Sequence, residues 1–142
     1  QLGAHLAGKA IDITKTTAAH AWSYGFTSMY NIAHGQAVWL TLPKIYHLHK
    51  NCENHQIIHP QGISFLRNVM KELDILLGIR DDNHIKVLEG IVKTVGCSTD
   101  FSGCGINDKS KLFELSKMVN TERLANNPVA FERKQIDHIF SL

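Results

Sequence analysis

Apolar residues recur every three or four positions along most of the chain, which is the spacing of one face of an α-helix. Runs of this kind occupy residues 2–13, 63–77, 85–95, 112–119 and 136–140. A half-buried strand would instead alternate apolar and polar residues, and we find no segment that keeps such an alternation. The pattern therefore predicts an all-α fold with short connections.

The first run carries Leu2, Leu6, Ala10 and Ile13 on one face, with small residues between them. Glycine and alanine at such positions allow another backbone to come close. We therefore expect this first helix to be buried on most of its sides.

Residues that favour helix ends flank the later runs. Gly78 is expected to end the second run. Asp82 or Asn83 is expected to cap the third, and Asn107 or Asp108 to begin the fourth. Each position is a prediction of where one helix stops or starts.

The best candidate for a strand is VWLTL at residues 38–42. The residues that precede it favour a helix, which we expect Pro43 to kink or end. Later in the chain, Asn126, Asn127 and Pro128 are expected to break the helical pattern.

Length and composition indicate one globular domain over residues 1–142. Hydrophobic residues make up 44% and charged residues 20%, and no apolar run approaches the roughly 20 residues that cross a bilayer. The net charge of +2 is small and its lysines and arginines are scattered, which argues against nucleic acid as a partner. We expect no membrane anchor.

Cys52, Cys97 and Cys104 form an odd set without the dense pairing of small secreted proteins, so we expect a reducing, cytoplasmic location. The chain begins with Gln1 and enters helical sequence at once. We therefore expect it to be part of a longer protein.

Two histidines, His20 and His34, lie in the apolar stretch AAHAWSYGFTSMYNIAHG at residues 18–35. On one straight helix they would be about 21 Å apart. If a helix that begins near Thr16 or Thr17 ends around residues 29–31 and a second begins near His34, the two rings can converge. Asn31 and Gly35 suit such a break.

Imidazole is a common ligand for iron, zinc and nickel, and its nitrogen must come to about 2 Å from the metal. A converging pair would supply half of such a site. The spacing by itself favours two histidines that serve only the core or a helix end.

The stretch AGKAIDITKTTAAHAWSYGFTSMYNIAHGQAVWLTLP resembles the signature of the iron-containing (group III) alcohol dehydrogenases. That signature has a histidine, thirteen intervening residues, and a histidine followed by glycine, and His20 and His34-Gly35 match it. The segment NTERLANNPVAF at residues 120–131 also resembles the family, so the similarity extends over the chain. The form TKTTAAHAWSY is most similar to the branch that reduces phosphonoacetaldehyde and related aldehydes.

The resemblance implies that the chain is the C-terminal helical domain of the dehydroquinate synthase-like fold. In that fold the active site lies in the cleft between this domain and an N-terminal nucleotide-binding domain. His20 and His34 would be two of four ligands to a divalent metal, iron or zinc. The aspartate and histidine that supply the other two, and the glycine-rich loop that binds the dinucleotide, do not appear in this sequence. NAD(P)H would be bound mainly by the missing domain, and domains of this kind often dimerise.

The resemblance implies a small alcohol or aldehyde as substrate, with hydride transferred to or from nicotinamide. Many family members carry a second histidine one turn after the first ligand, where this chain has Tyr24. A phenol, with an ordinary pKa of about 10, is a poorer base than imidazole near neutral pH. Because it occupies this position, Tyr24 is our candidate catalytic residue. The replacement of histidine by tyrosine also indicates that the substrate class differs from that of family members with the histidine.

Lys15, Thr16 and Thr17 precede the predicted helix and offer hydroxyls and an ammonium group beside free backbone N–H groups. They could hold the phosphonate or carboxylate of a substrate. The alternative is an ordinary threonine N-cap beside a solvated lysine.

Other residues are assigned structural tasks. We expect Arg123, Asn126 and Asn127 to tie the last helices together, and we expect Cys97 and Cys104 to be plain core and loop residues. One packed helix face is expected from Trp22, Phe26 and Tyr30, with Trp22 a possible border of the pocket. A histidine-rich segment matches no closed zinc pattern; its members are His47, His49, Cys52, His55 and His59.

A second class of function remains open alongside the dehydrogenase domain. The chain could be a helical interaction module that keeps the fold without metal chemistry.

Overall fold

The computed structural model describes all 142 residues, and they form α-helices joined by short loops. No strand is present; the one β-type contact is an isolated antiparallel bridge between Ile57 and Val129. The all-α prediction is confirmed. In chain order the helices are α1 (Leu2–Thr14), α2 (Ala18–Tyr30), α3 (His34–Trp39), α4 (Leu42–Lys50), α5 (Gly62–Leu77), α6 (His84–Thr94), α7 (Lys109–Lys117), α8 (Thr121–Leu124) and α9 (Arg133–Ile139).

Several helix ends lie where their residue types predicted. Gly78 follows α5 in the left-handed conformation, with φ of 67°, which costs glycine little. Asp108 caps α7, and its carboxylate accepts a hydrogen bond from the Ser110 N–H at 2.8 Å. Asn83 is the N-cap of α6, but its side chain accepts from the Arg80 N–H instead of capping the helix.

Proline 43 begins a helix rather than kinking or ending one. Helix α3 already ends at Trp39, and Pro43 lies in the first turn of α4. Because proline has no N–H to donate, the first turn is where a helix tolerates it. The sequence prediction at Pro43 is therefore corrected.

The burial predicted for the first helix is wrong. No residue of α1 is buried, and Leu2 and Ile13 are 71% and 82% exposed. Gly3 and Gly8 have no other part of the chain within 4 Å of the position of a Cβ atom. Periodic apolar residues indicate that α1 has a face able to pack against a neighbour, but no helix of this chain covers that face.

The main core surrounds the aromatic face of α2. Trp22 and Phe26 are 1% and 0% exposed, and Tyr30 packs against the same cluster, so the packed face predicted for these three residues is confirmed. The Trp22 indole donates to the Ser116 carbonyl at 3.1 Å, and Phe140 stacks on Phe26. Residues from α2, from α7 and from the segment that follows α9 therefore build one core.

Close contact between α2 and α7 depends on Gly25. A Cβ atom there would lie 3.1 Å from Leu115 Cδ2 and 3.3 Å from Met118 Cβ, tighter than ordinary packing. A smaller second cluster, centred on Tyr46, Leu66 and Leu88, joins α4, α5 and α6. None of the helices is long and apolar enough to cross a membrane.

Candidate metal site

A reversal of the chain between α2 and α3 brings His20 and His34 together. Asn31 adopts the left-handed conformation, with φ of 52° and ψ of 31°, and ends α2. His34 is the first residue of α3. Gly35 lies inside α3 and takes no part in the break, so Asn31 alone supplies the unusual backbone geometry. The break falls where the sequence predicted it.

The two imidazole rings lie edge to face, with centroids 5.3 Å apart and planes at 60°. Two imidazoles bound to one tetrahedral metal through nitrogens at about 2.1 Å would have ring centres roughly 5 Å apart. The distance between the two rings therefore allows them to share a divalent cation. No group of three or more His, Cys, Asp or Glu side chains in the chain could hold a metal ion, so these residues form at most half a site.

The surroundings of His20 favour its neutral form. The ring is half-buried, and this burial is the largest cause that lowers the pKa of His20 below its ordinary value. The neighbouring His34 and the Arg123 guanidinium lower that pKa further. Metals bind imidazole through an unprotonated nitrogen, so these effects favour the form of His20 that is able to bind a metal.

Ser23 contacts both histidines and was not singled out from the sequence. It is fully buried on α2, and its Oγ lies 2.9 Å from the His20 carbonyl oxygen and 3.3 Å from His34 Nδ1. A serine three residues after a histidine carries no recognisable signal by itself. Its contact with His34 arises only from the reversal of the chain.

Tyr24 lies next to the histidine pair. Its ring centroid is 6.0 Å from that of His34, and the residue is 42% exposed. The Arg123 guanidinium carbon stands 5.3 Å from the Tyr24 ring centroid, a cation–π distance. The phenol is therefore accessible from solvent and adjacent to both an imidazole and a cation.

The three predicted anion-binding residues differ in their surroundings. Lys15 is exposed and ends α1 in the left-handed region, with φ of 65°. Thr16 is buried, and its hydroxyl accepts a hydrogen bond from Arg123 Nη1. Thr17 is the N-cap of α2, but its side chain makes no capping hydrogen bond.

Arg123 and Asn126 have a task different from the one predicted for them. Both bond to Thr16, near the start of α2, rather than tying the last helices to one another; the Asn126 side chain donates to the Thr16 carbonyl at 3.4 Å. Asn127 donates to the Val129 carbonyl two residues later, and its side chain also lies near His49 of α4. The sequence offered no signal for the Arg123–Thr16 pair, because 107 positions separate the two residues.

An open cleft of about 440 Å³ lies beside the Arg123 guanidinium. Lys15, Thr16, Arg123 and Asn126 are among the residues that line it, and Asp12 and Glu122 add two carboxylates. Arg123 makes no ion pair with either of them. The cation is therefore held by a hydroxyl and an aromatic ring, and its charge is not neutralised by a paired carboxylate.

The histidine-rich segment is spread over separate contacts. His47 Nδ1 lies 2.9 Å from Nε2 of His84, a fully buried residue that sequence inspection did not single out. His55 pairs with Glu53 and Glu132, and His59 stacks on the ring of Phe65.

The three cysteines are free thiols. Burial raises the pKa of the Cys52 thiol, which accordingly stays protonated near neutral pH. The Gln36 amide donates to Cys104 Sγ at 3.2 Å. Cys97 and Cys104 are both half-buried, in keeping with the plain core and loop residues predicted at these two positions.

Comparison with known proteins places this geometry in context. The family model described as the C-terminal part of the Fe-containing alcohol dehydrogenase family matches residues 1–142. A phosphonoacetaldehyde reductase of Streptomyces viridochromogenes is 25% identical over 139 residues, which is 98% of this chain. The chain spans 34% of that relative's length. No solved structure matches.

The family match covers the whole chain, including both histidines and the reversal between them. The helical architecture agrees with it. The chain therefore belongs to the Fe-containing alcohol dehydrogenase family, of which it is the C-terminal, helical part.

Proposed function

We propose that this chain supplies the metal-binding half of a nicotinamide-dependent alcohol dehydrogenase or aldehyde reductase. The observation that carries the proposal is the pair of adjacent imidazole rings, His20 and His34, with centroids 5.3 Å apart. Membership of an oxidoreductase family supports it. An N-terminal nucleotide-binding domain, outside this chain, would complete the cleft and bind NAD(P)H.

His20 and His34 would hold a divalent metal, iron or zinc, through neutral nitrogens. Such a cation, when bound, polarises a carbonyl or alkoxide oxygen as a Lewis acid and so eases hydride transfer. Because the chain itself offers two ligands, the remaining ones would come from the other domain.

Tyr24 would orient the substrate oxygen and exchange its proton. The phenol can both donate and accept a hydrogen bond, and it lies beside His34 on the exposed side of the pair. A phenylalanine at this position would keep the ring over Arg123 but remove the hydroxyl. We expect Tyr24→Phe to lower kcat while metal content stays unchanged.

The substrate would be a small aldehyde that carries a phosphonate or another anionic group. The similar Streptomyces protein is named a phosphonoacetaldehyde reductase, which supports this class. Lys15 with Thr16 and Thr17 remain the proposed docking residues, and Arg123 joins them because its guanidinium bonds Thr16 beside Tyr24. Planar guanidinium groups suit the recognition of phosphonate oxygens.

The metal assignment is tested by replacing each ligand in the protein that carries both domains. We expect His20→Ala and His34→Ala to lose bound iron or zinc, measured by mass spectrometry of metals. Both should lower kcat for NAD(P)H-dependent aldehyde reduction by more than about 100-fold, the upper end of what loss of an outer-shell partner costs. His5→Ala, an exposed histidine on α1, is the matched control. Full metal content in both ligand variants would refute the assignment.

The substrate assignment is tested by comparing an anionic and a neutral aldehyde of similar size. Loss of one charge-assisted hydrogen bond costs about 1.5 kcal/mol, or roughly tenfold in affinity. We therefore expect Lys15→Met and Arg123→Gln each to raise KM for phosphonoacetaldehyde about tenfold and to leave KM for the neutral aldehyde unchanged. An unchanged KM for the anionic aldehyde in both variants would contradict the docking site.

The interaction-module alternative makes the opposite forecast for the same experiments. A module without metal chemistry would fold normally, bind no stoichiometric metal in the two-domain protein and catalyse no hydride transfer. Metal content alone therefore separates the two functions.

A further inference from the structure

The Ser23 hydroxyl contacts both proposed ligands, the backbone carbonyl of His20 and the ring of His34. The residue has no exposed surface. Its Oγ is 2.9 Å from the carbonyl oxygen of His20 and 3.3 Å from Nδ1 of His34. These two contacts are its hydrogen bonds in the structure, and no solvent can reach it to offer another.

The hydrogen atoms in this group can be assigned from the chemistry of the partners. A serine hydroxyl has one hydrogen to donate and two lone pairs. The His20 carbonyl can only accept, so the single hydroxyl hydrogen points to it. Toward His34, Ser23 then presents a lone pair, so Nδ1 of that ring must carry the hydrogen.

This assignment determines which nitrogen of His34 is available. In a neutral imidazole, one nitrogen carries hydrogen and the other carries a lone pair. With hydrogen on Nδ1, the lone pair is on Nε2. The hydrogen bond made by one ring nitrogen thus selects the other as the metal-binding atom.

We infer that Ser23 is a positioning residue that holds neutral His34 in its Nδ1–H tautomer and so presents Nε2 to the cation. The tautomer half of this inference stands on the hydrogen bonds alone. The metal half rests on the proposed function.

Helix α2 provides a matched control for the hydroxyl. Ser28 also donates to the carbonyl three residues earlier, that of Gly25, at 3.3 Å, but it touches no histidine. Ser23→Ala and Ser28→Ala therefore remove the same type of helix hydrogen bond. Only the first also removes the contact with His34.

The tautomer is measured by long-range 15N–1H correlation spectra of the metal-free chain at pH 8, with His34→Gln identifying the resonances. We expect wild type and Ser28→Ala to show the Nδ1–H form of His34. Ser23→Ala should show a mixture of both tautomers. Ser23→Cys, which keeps the side-chain volume and bonds weakly, should behave like Ser23→Ala. An Nε2–H form in wild type, which needs no variant to fold, would overturn the inference, as would an unchanged spectrum in Ser23→Ala.

The metal half is measured with Zn²⁺ alone, titrated while the ring resonances of His20 and His34 are followed. Loss of a partner that orients a ligand lowers metal affinity by about 10- to 100-fold. We expect the dissociation constant for Zn²⁺ to be at least tenfold larger in Ser23→Ala and unchanged in Ser28→Ala. Equal affinity in wild type and Ser23→Ala would overturn the metal half of the inference.

Failure of the proposed function gives a different result. A protein with both domains that holds no stoichiometric iron or zinc would refute the metal site, and with it the metal half of the inference. The tautomer spectra would still decide the other half.

Discussion

His49 should make the stability of this chain depend strongly on pH. It lies in the last turn of α4, stacked on the ring of Phe131 with centroids 5.8 Å apart. Its Nε2 is buried and makes no hydrogen bond within the chain. Burial lowers the pKa of His49 to about 4, and the nearby Asn127 amide opposes this shift only in part.

The magnitude follows from the difference between the folded and unfolded states. The ordinary pKa of the ring is 6.5, so folding lowers it by about 2.5 units, worth about 3 kcal/mol at ~1.36 kcal/mol per unit. Because the folded pKa is the lower one, the unfolded chain binds the extra proton. The contribution of His49 to the free energy of unfolding is therefore at its full value above pH 6.5 and falls as the pH drops from 6.5 toward 4. By pH 5 the free energy of unfolding has fallen by about 2 kcal/mol.

The assay is urea unfolding followed by circular dichroism at pH 7.5 and pH 5. Wild type should lose free energy of unfolding between the two conditions, and His49→Gln should lose about 2 kcal/mol less. His20, His84 and His138, whose pKa values burial also lowers, add to the loss in both proteins, so the difference between proteins isolates His49. His5→Gln should behave like wild type. If His49→Gln keeps the full wild-type pH dependence, the reasoning about this buried ring is wrong.

Three further predictions concern packing and helix ends. Gly25→Ala should destabilise the chain by about 1–3 kcal/mol, because the added methyl group would press on Leu115. Gly90→Ala, which has open space around it, should stabilise α6 by about 0.5–1 kcal/mol. Equal effects of the two variants on the midpoint of unfolding would contradict this. Asp108→Ala should cost about 1 kcal/mol through the lost N-cap, measured by urea unfolding, and no cost would show that the cap is dispensable. Deleting residues 2–14 should leave the thermal midpoint of the remaining chain nearly unchanged, since α1 buries nothing; a large fall would mean that α1 packs after all.

Local features of the fold were predictable from the sequence because their causes are local. The spacing of apolar residues marks the helices, and Gly78 and Asp108 mark two of their ends. The reversal after α2 follows from Asn31, a residue type that tolerates the left-handed conformation. At Pro43 the same kind of reasoning failed, because a proline stops one helix and starts another equally well.

The rest depends on contacts between distant segments, which no periodicity records. Arg123 meets Thr16 across 107 positions, and Ser23 meets His34 only after the chain has reversed. The exposure of α1 is a further case, since an apolar face indicates a capacity to pack and not the presence of a neighbour. The histidine pair is a specific metal-site hypothesis only through the resemblance to a family, because its spacing alone favours two histidines that serve the core or a helix end.

The aromatic core has a consequence for synthesis of the chain on the ribosome. Trp22 reaches a carbonyl acceptor 94 positions later, at Ser116, and both Trp22 and Phe26 pack on Phe140, two residues before the last one described. These rings leave the ribosome before Ser116 and Phe140 have been made, and unburied aromatic surface of this kind promotes aggregation and recruits chaperones. Folding of this core therefore waits until α9 and Phe140 have left the exit tunnel.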